Sequence, residues 1–342
     1  MAVVNGPKDR LGRPLTDLRV SVTDRCNFRC RYCMPSEIFG PGFRFLSRAE
    51  ILSFEEIAEV VEVATELGVT KVRLTGGEPL LRRQLPALVE QLVALPAVRD
   101  LAMTTNGALL GRWAQPLAQA GLHRVTVSLD SVDPEVFQQM NGVGVGLDQV
   151  LAGIEAAVAA GLGPVKLNAV VRRGLNDDGI LDLAAYARDQ GHNLRLIEYM
   201  DVGESHGWRM EEVVPGRELL ATISGRWPLE PVAAARGSEV ASRYRYLDGG
   251  GELGLITSVT QPFCGSCSRL RLTADGRLHT CLFSSGGHDL RSLLRGGQGH
   301  AALRAELERI WVAREDRYSE LRAGRTVAGQ RLPKPEMSYL GG

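Results

Sequence analysis

Short runs rich in β-branched residues alternate, over the first two-thirds of the chain, with stretches whose apolar positions recur at helical spacing. Strands are predicted over 18–22, 71–74, 101–104, 124–129, 165–171 and 194–197. The clearest helix spans 53–67. Ser53 and Glu56 form a capping box at its start, Ile57, Val60, Val61, Ala64 and Leu67 share one face, and Gly68 ends it. Stretches 149–160, ended by Gly161, and 180–190, ended by Gly191, repeat that logic. Strands separated by helices imply a parallel sheet. Six such units predict an α/β fold, a partial six-stranded TIM-type (β/α)6 barrel open on one side.

The pattern changes after about Met210. Residues 228–260 hold short runs broken by Gly249-Gly250-Gly251 and read as antiparallel strands, and a final helix is predicted around 302–314. The expected division is a barrel over 1–210 and a C-terminal α+β segment over 211–342 that closes the open side.

Composition narrows the function. Forty basic residues balance forty acidic ones, which argues against nonspecific nucleic-acid binding. No apolar run approaches the ~18 residues of a membrane span, and residues 1–13 lack an apolar signal core, so a cytoplasmic protein is expected. Lysine occurs only at Lys8, Lys71, Lys166 and Lys334, so most single arginines carry no functional reading.

All six cysteines fall into two triplets: Cys26, Cys30 and Cys33 as C-x3-C-x2-C, and Cys264, Cys267 and Cys281 as C-x2-C-x13-C. Three close thiolates suit a grip on an iron–sulfur cluster, and three ligands on a [4Fe–4S] cube leave one iron open. Zinc sites favour C-x2-C pairs with two further ligands, so a zinc site with His279 as fourth ligand stays open for the second triplet. Disulfides are disfavoured in a chain of 342 residues without a signal core.

Other candidates sit at strand ends. Thr75-Gly76-Gly77-Glu78-Pro79 follows the second strand, and a glycine pair lets backbone approach a ligand closely. Arg19 and Arg73 lie on the first two strands. Lys166 and Asn168 share one face of the fifth, and Arg269 and Arg271 flank Leu270 on one side of a later run. Thr104 offers a hydroxyl. A lysine inside a barrel strand is costly without an anion, the alternatives being a structural ion pair or a wet strand end. With no G-x-x-x-x-G-K-[ST] in the chain, a P-loop is excluded. Arginine forks nonetheless suit a polyanion such as a nucleoside triphosphate.

The first triplet, with Gly76-Gly77-Glu78 after a strand, resembles the radical SAM enzymes. The resemblance extends along the chain to the GTP 3′,8-cyclases of molybdenum-cofactor biosynthesis. It is carried by Asp17-Leu18-Arg19, Thr23-Asp24-Arg25-Cys26, Val72-Arg73-Leu74-Thr75, Thr104-Thr105-Asn106-Gly107, Val127-Ser128-Leu129-Asp130, Ile197-Glu198-Tyr199-Met200, Phe263-Cys264-Gly265-Ser266-Cys267-Ser268-Arg269-Leu270-Arg271, Cys281-Leu282-Phe283 and the terminal Tyr339-Leu340-Gly341-Gly342.

That resemblance implies two [4Fe–4S] clusters, one on each triplet. It implies S-adenosylmethionine held at Tyr32, Gly77, Ser128 and Met200, and GTP held at Arg19, Arg73, Thr104, Lys166, Arg269, Leu270 and Arg271. Arg19, Arg269, Arg271, Gly341 and Gly342 would serve catalysis, the tail positioning GTP or aiding the last reduction. A 5′-deoxyadenosyl radical would take the C3′ hydrogen of GTP, and C3′–C8 closure would give (8S)-3′,8-cyclo-7,8-dihydro-GTP. A flavodoxin or ferredoxin would supply electrons, and a cyclic pyranopterin monophosphate synthase would receive the product. A homodimer is compatible with the sequence, which does not fix oligomeric state. A radical SAM enzyme acting on peptides and a metal-stabilised binding protein are the competing readings.

Overall fold

The computed structural model describes residues 6–234, 238–327 and 334–341. Gly342, assigned a role by resemblance, lies outside them.

The strands are β1 (Asp17–Ser21), β2 (Lys71–Thr75), β3 (Asp100–Thr105), β4 (Arg124–Ser128), β5 (Lys166–Val171), β6 (Asn193–Glu198), β7 (Leu229–Val232), β8 (Ser242–Tyr246), β9 (Glu252–Ile256), β10 (Arg269–Leu272), β11 (Arg277–His279) and β12 (His288–Asp289). The first six match the predicted strands to within a residue at each end. The helix Phe54–Glu66 carries the expected capping box of Ser53 and Glu56. Helices Leu147–Ala159 and Ile180–Asp189 begin and end near the predicted limits; the helix expected to be last is Gly299–Val312, beginning somewhat earlier than expected, and it is followed by Tyr318–Val327 and Met337–Leu340. Gly68 follows the first helix at φ +107, where an L side chain is strained, and an added Cβ would lie 3.0 Å from the Leu15 carbonyl oxygen.

One sheet holds all twelve described strands, in the order β12-β11-β10-β1-β2-β3-β4-β5-β6-β9-β8-β7. The C-terminal residues therefore do more than lie against an open side: they extend the sheet at both edges. β10 pairs parallel to β1, and β9 pairs parallel to β6. Both strands satisfy edge N–H and C=O groups that a six-stranded sheet would leave bare. β9, predicted as one of an antiparallel set, is antiparallel only to β8.

Period-two alternation decides what faces inward. Val20, Val72, Leu74, Leu101, Val125, Val127, Leu167, Leu194 and Leu270 are buried against the helices. Their neighbours in sequence, including Arg19, Arg73, Lys166, Arg195 and Arg271, turn to a central cavity.

Candidate active site

The cavity has a volume of about 580 Å³ and is lined by both cysteine triplets. Strand register places them at opposite ends. Cys26, Cys30 and Cys33 follow the C-terminal end of β1. Cys264 and Cys267 precede β10, whose Arg269 stands opposite Asp17 at the N-terminal end of β1. The second triplet thus lies at the end away from the loops where a barrel usually keeps its catalytic groups. About five residues of strand, roughly 16 Å, separate the two levels.

Side-chain and backbone contacts tie down the first cysteine loop. Arg29 donates through Nη1 to the carbonyls of Cys26 and Phe28 and through Nε to that of Phe39. The Asn106 amide reaches Asn27 Oδ1 at 2.9 Å and Cys26 Sγ at 3.9 Å. Glu78, buried, accepts from the Thr105 hydroxyl at 2.7 Å and the amides of Asn106 and Leu80 at 2.8 and 3.1 Å. The glycine pair proves to approach chain as well as cavity: a Cβ on Gly77 would fall 2.4 Å from the Arg25 carbonyl, and one on Gly76 2.7 Å from that of Thr23. Both glycines, with Ser128 and Met200, line the cavity. Tyr32 lines it too, its hydroxyl donating to Asp130 Oδ2 at 2.8 Å, while Asp130 Oδ1 accepts from the Val170 amide.

Between the triplets stands a crowd of cations. Register sets Arg271, Arg19 and Arg73 side by side on three adjacent strands. Like charges directly opposite on neighbouring strands repel. Burial, then the Arg269 cation, lowers Arg19 to about 10. Burial, then Arg195 and Arg124, lowers Lys166 to about 7. Asp17 pairs with Lys71 at 3.1 Å, and Asp100 with Arg124 at 2.6 Å. Among the described residues no carboxylate pairs with Arg19, Arg73, Lys166, Arg195 or Arg271. Arg73 Nη1 donates to Thr104 Oγ1 at 2.9 Å and Thr126 Oγ1 at 3.1 Å, so the Thr104 hydroxyl already serves an arginine. Leu270 is fully buried in the hydrophobic core, and its position can meet a ligand only through the main chain.

The second triplet rests on residues the sequence did not single out. Arg314 donates to the Cys267 carbonyl at 2.7 Å and to Cys267 Sγ at 3.2 Å, and Arg13 donates to the Cys264 carbonyl at 2.7 Å. Both guanidiniums meet buried Asp9. Although burial opposes it, Arg269 and Arg314 bring the Cys267 thiol down to about 6. His279 stands apart. Its Nδ1 shares a hydrogen bond with Ser284 Oγ, and its Nε2 faces Gly287, where a Cβ would come within 2.4 Å. That takes His279 out of the ligand set. No three His, Cys, Asp or Glu side chains among the described residues form the tight cage of a single metal ion. A polynuclear cluster spreads its thiolates wider than one ion does, so all-cysteine triplets facing a shared cavity fit iron–sulfur cubes.

The C-terminal tail completes the wall. Lys334 Nζ meets Asp201 Oδ2 at 2.7 Å, Glu336 accepts from the Ser205 amide and hydroxyl, and Met337 and Ser338 line the cavity. Arg271 Nη1 reaches the Gly341 carbonyl at 3.4 Å.

Family comparisons agree with this geometry. Residues 20–187 match the radical SAM superfamily and residues 192–320 match molybdenum cofactor synthesis C. A GTP 3′,8-cyclase of Acidothermus cellulolyticus is 56% identical over 98% of this chain and 99% of its own length. The chain belongs to the GTP 3′,8-cyclase family. Other cyclases of that name, from Xanthomonas campestris and Staphylococcus haemolyticus, are 50% and 46% identical over 98% of the chain. The crystal structure of Streptococcus suis SuiB bound to S-adenosylmethionine aligns with 91% of this chain and 68% of that one at a TM-score of 0.62 and 14% identity, which shows a shared fold. Sequence reasoning passed over several cavity cations, and among the described residues Arg195 is one of them that no carboxylate pairs. Its signal was the one used for Lys166, a cation between Leu194 and Leu196 on an inward strand position.

Proposed function

We propose that this protein is a radical SAM GTP 3′,8-cyclase that carries out the first step of molybdopterin biosynthesis. The observation that carries the reading is one cavity with three cysteines at each end and, between them, buried and half-buried cations that no carboxylate among the described residues pairs. Cys26, Cys30 and Cys33 would hold one [4Fe–4S] cluster, which would supply the electron for reductive cleavage of S-adenosylmethionine, and Cys264, Cys267 and Cys281 would hold a second, which would bind the guanine of GTP. Tyr32, Gly77, Ser128 and Met200 hold S-adenosylmethionine beside the first triplet. Arg19, Arg73, Lys166, Arg269 and Arg271, with Thr104 and the main chain at Leu270, hold GTP. Buried guanidiniums facing phosphate oxygens relieve the mutual repulsion of the row.

The chain's task is to position and to exclude. A primary radical takes hydrogen from whatever is near, so C3′ must be presented in near-attack geometry with water kept out. The tail through Gly341 closes the wall for that purpose, and Gly342 is assigned to the same task of positioning GTP or aiding the last reduction. The six-stranded unit acts as a partial barrel over 1–210, and residues 211–342 bring the second triplet to its other end. The protein works in the cytoplasm, takes electrons from a flavodoxin or ferredoxin, and passes (8S)-3′,8-cyclo-7,8-dihydro-GTP to a cyclic pyranopterin monophosphate synthase.

The test is anaerobic incubation of reconstituted protein with S-adenosylmethionine, a reductant and GTP, followed by mass spectrometry. A GTP isomer formed together with 5′-deoxyadenosine supports the reading. 5′-Deoxyadenosine with no GTP-derived product overturns the substrate.

A further inference from the structure

The segment that spans and follows the first cysteine triplet forms an outward face whose charge departs from that of the rest of the chain. The whole protein is neutral, yet from Arg25 to Arg48 there are five arginines and a single acid, Glu37. Arg25, Arg31, Arg44 and Arg48 are exposed. Among the described residues no carboxylate pairs with any of the four. Two large apolar side chains stand out among them, Ile38 at 48% and Phe43 at 38% exposure.

This face is built on the cysteine loop itself. Arg25 and Arg29 both lie over the Phe45 ring, with guanidinium carbons 5.8 and 5.7 Å from its centroid. Phe45 packs edge-on against Phe43, and Phe43 against Phe39. The Leu46 amide donates to Asp24 at 2.7 Å, which turns that carboxylate inward. Residues 38–48 therefore cover the outer side of the loop that carries Cys26 and Cys30, while the thiols face the cavity within. Electron transfer needs a partner close to the acceptor, and this face is bonded directly to the cysteine loop.

We propose that this arginine-rimmed apolar face is the docking surface for a small acidic protein that donates one electron through its own redox cofactor. The inference rests on the reading of Cys26, Cys30 and Cys33 as cluster ligands. The donor is oxidised by one electron. S-Adenosylmethionine accepts it and its sulfur–C5′ bond breaks, giving methionine and the 5′-deoxyadenosyl radical. An apolar centre with four exposed arginines against one exposed acid, Glu37, gives both contact area and steering toward a partner of opposite sign.

The experiment compares two reductants in 5′-deoxyadenosine formation by the reconstituted protein: dithionite, which needs no docking, and reduced flavodoxin, an acidic flavin protein. Arg44→Glu with Arg48→Glu is expected to raise KM for flavodoxin by about tenfold or more at low salt and to leave the dithionite-driven rate within about twofold. Ile38→Glu, a change at an exposed side chain, is expected to show the same split and reads the face independently of the arginines. Arg217→Glu with Arg226→Glu makes the same change in net charge on a distant helix, Gly216–Arg226, which packs on β6 and β9, and is expected to leave both rates unchanged. An unaltered flavodoxin KM in the Arg44/Arg48 and Ile38 variants, or an equal rise in the distant pair, overturns the docking surface. Wild-type protein that cleaves nothing with dithionite would instead count against the cluster assignment.

Discussion

A side-chain carbon on Gly341 would lie 2.1 Å from the Thr75 hydroxyl oxygen, and Gly341 holds φ at +69. The tail thus seats a residue without a side chain between the ends of β1 and β2, next to Ser21. Gly341→Ala adds a steric clash to a backbone cost of about 1 kcal/mol. The tail is expected to leave its seat, with GTP cyclisation falling at least about tenfold through lost positioning. Global unfolding should scarcely move, because the tail is short. Product formation by mass spectrometry and a urea titration check both halves, and full cyclisation in this variant would make the close fit irrelevant.

Lys166 should make GTP affinity pH-dependent. Burial and the neighbouring Arg195 and Arg124 lower it to about 7. Above that pH the free protein carries it mostly neutral, and a bound triphosphate favours the charged form. Binding therefore takes up a proton, and affinity should rise as pH falls from 8.5 toward 7, by up to about tenfold per unit. Lys166→Arg, always charged, should flatten that slope, and Lys166→Ala should weaken binding about ten- to a hundredfold. Calorimetric titrations at several pH values would show it; identical slopes for the native protein and the arginine variant would return Lys166 to a structural role.

The two cysteine triplets should separate functionally. Cys30→Ala is expected to remove about half of the iron and abolish 5′-deoxyadenosine formation. Cys281→Ala should also lose about half of the iron but retain S-adenosylmethionine cleavage, with no GTP-derived product. Iron analysis and product analysis on the same preparations decide this, and cyclisation in the Cys281 variant would dismiss a substrate-binding role for the second triplet.

Glu78 acts as a buried clamp and should leave a pH signature in stability. Burial raises it from 4.5 to about 7, against hydrogen bonds from Asn106, Thr105 and Leu80. The folded state then binds more protons than the unfolded between those values, so this group's contribution falls as pH rises through that window. Glu78→Gln should reduce the slope. Glu78→Ala should cost about 3 kcal/mol, because three donors lose their acceptor. Urea unfolding of the three proteins between pH 5 and 7.5 measures both effects.

Much of this was legible because the signals were local. The Ser53–Glu56 capping box and the apolar face beginning at Ile57 lie within a few turns of one helix. The inward alternation of Lys166 and Asn168 needs only the period of one strand. Arg195 obeyed the same rule and was missed because nothing beside it marked it as unusual.

What stayed hidden depends on distance along the chain. Asp9, Arg13 and Arg314 join at the second triplet across some 300 residues, and no single-sequence pattern couples an N-terminal aspartate to an arginine just after the helix Gly299–Val312. His279 sits two residues from Cys281 and looked like a ligand, but pairing of β11 with β10 turned its ring toward Gly287 instead.

The sequence by itself determined the chemistry: six cysteines in two triplets, a glycine pair after a strand, and cations at inward-facing positions. Residue type and period are properties of neighbours, so they could be read directly. Only the tertiary structure decided that the triplets face each other along one cavity. That followed from β10 docking parallel beside β1 with Arg269 opposite Asp17. It also decided that Arg271, Arg19 and Arg73 form a single row, because strand register is set by backbone hydrogen bonds between segments far apart in the chain.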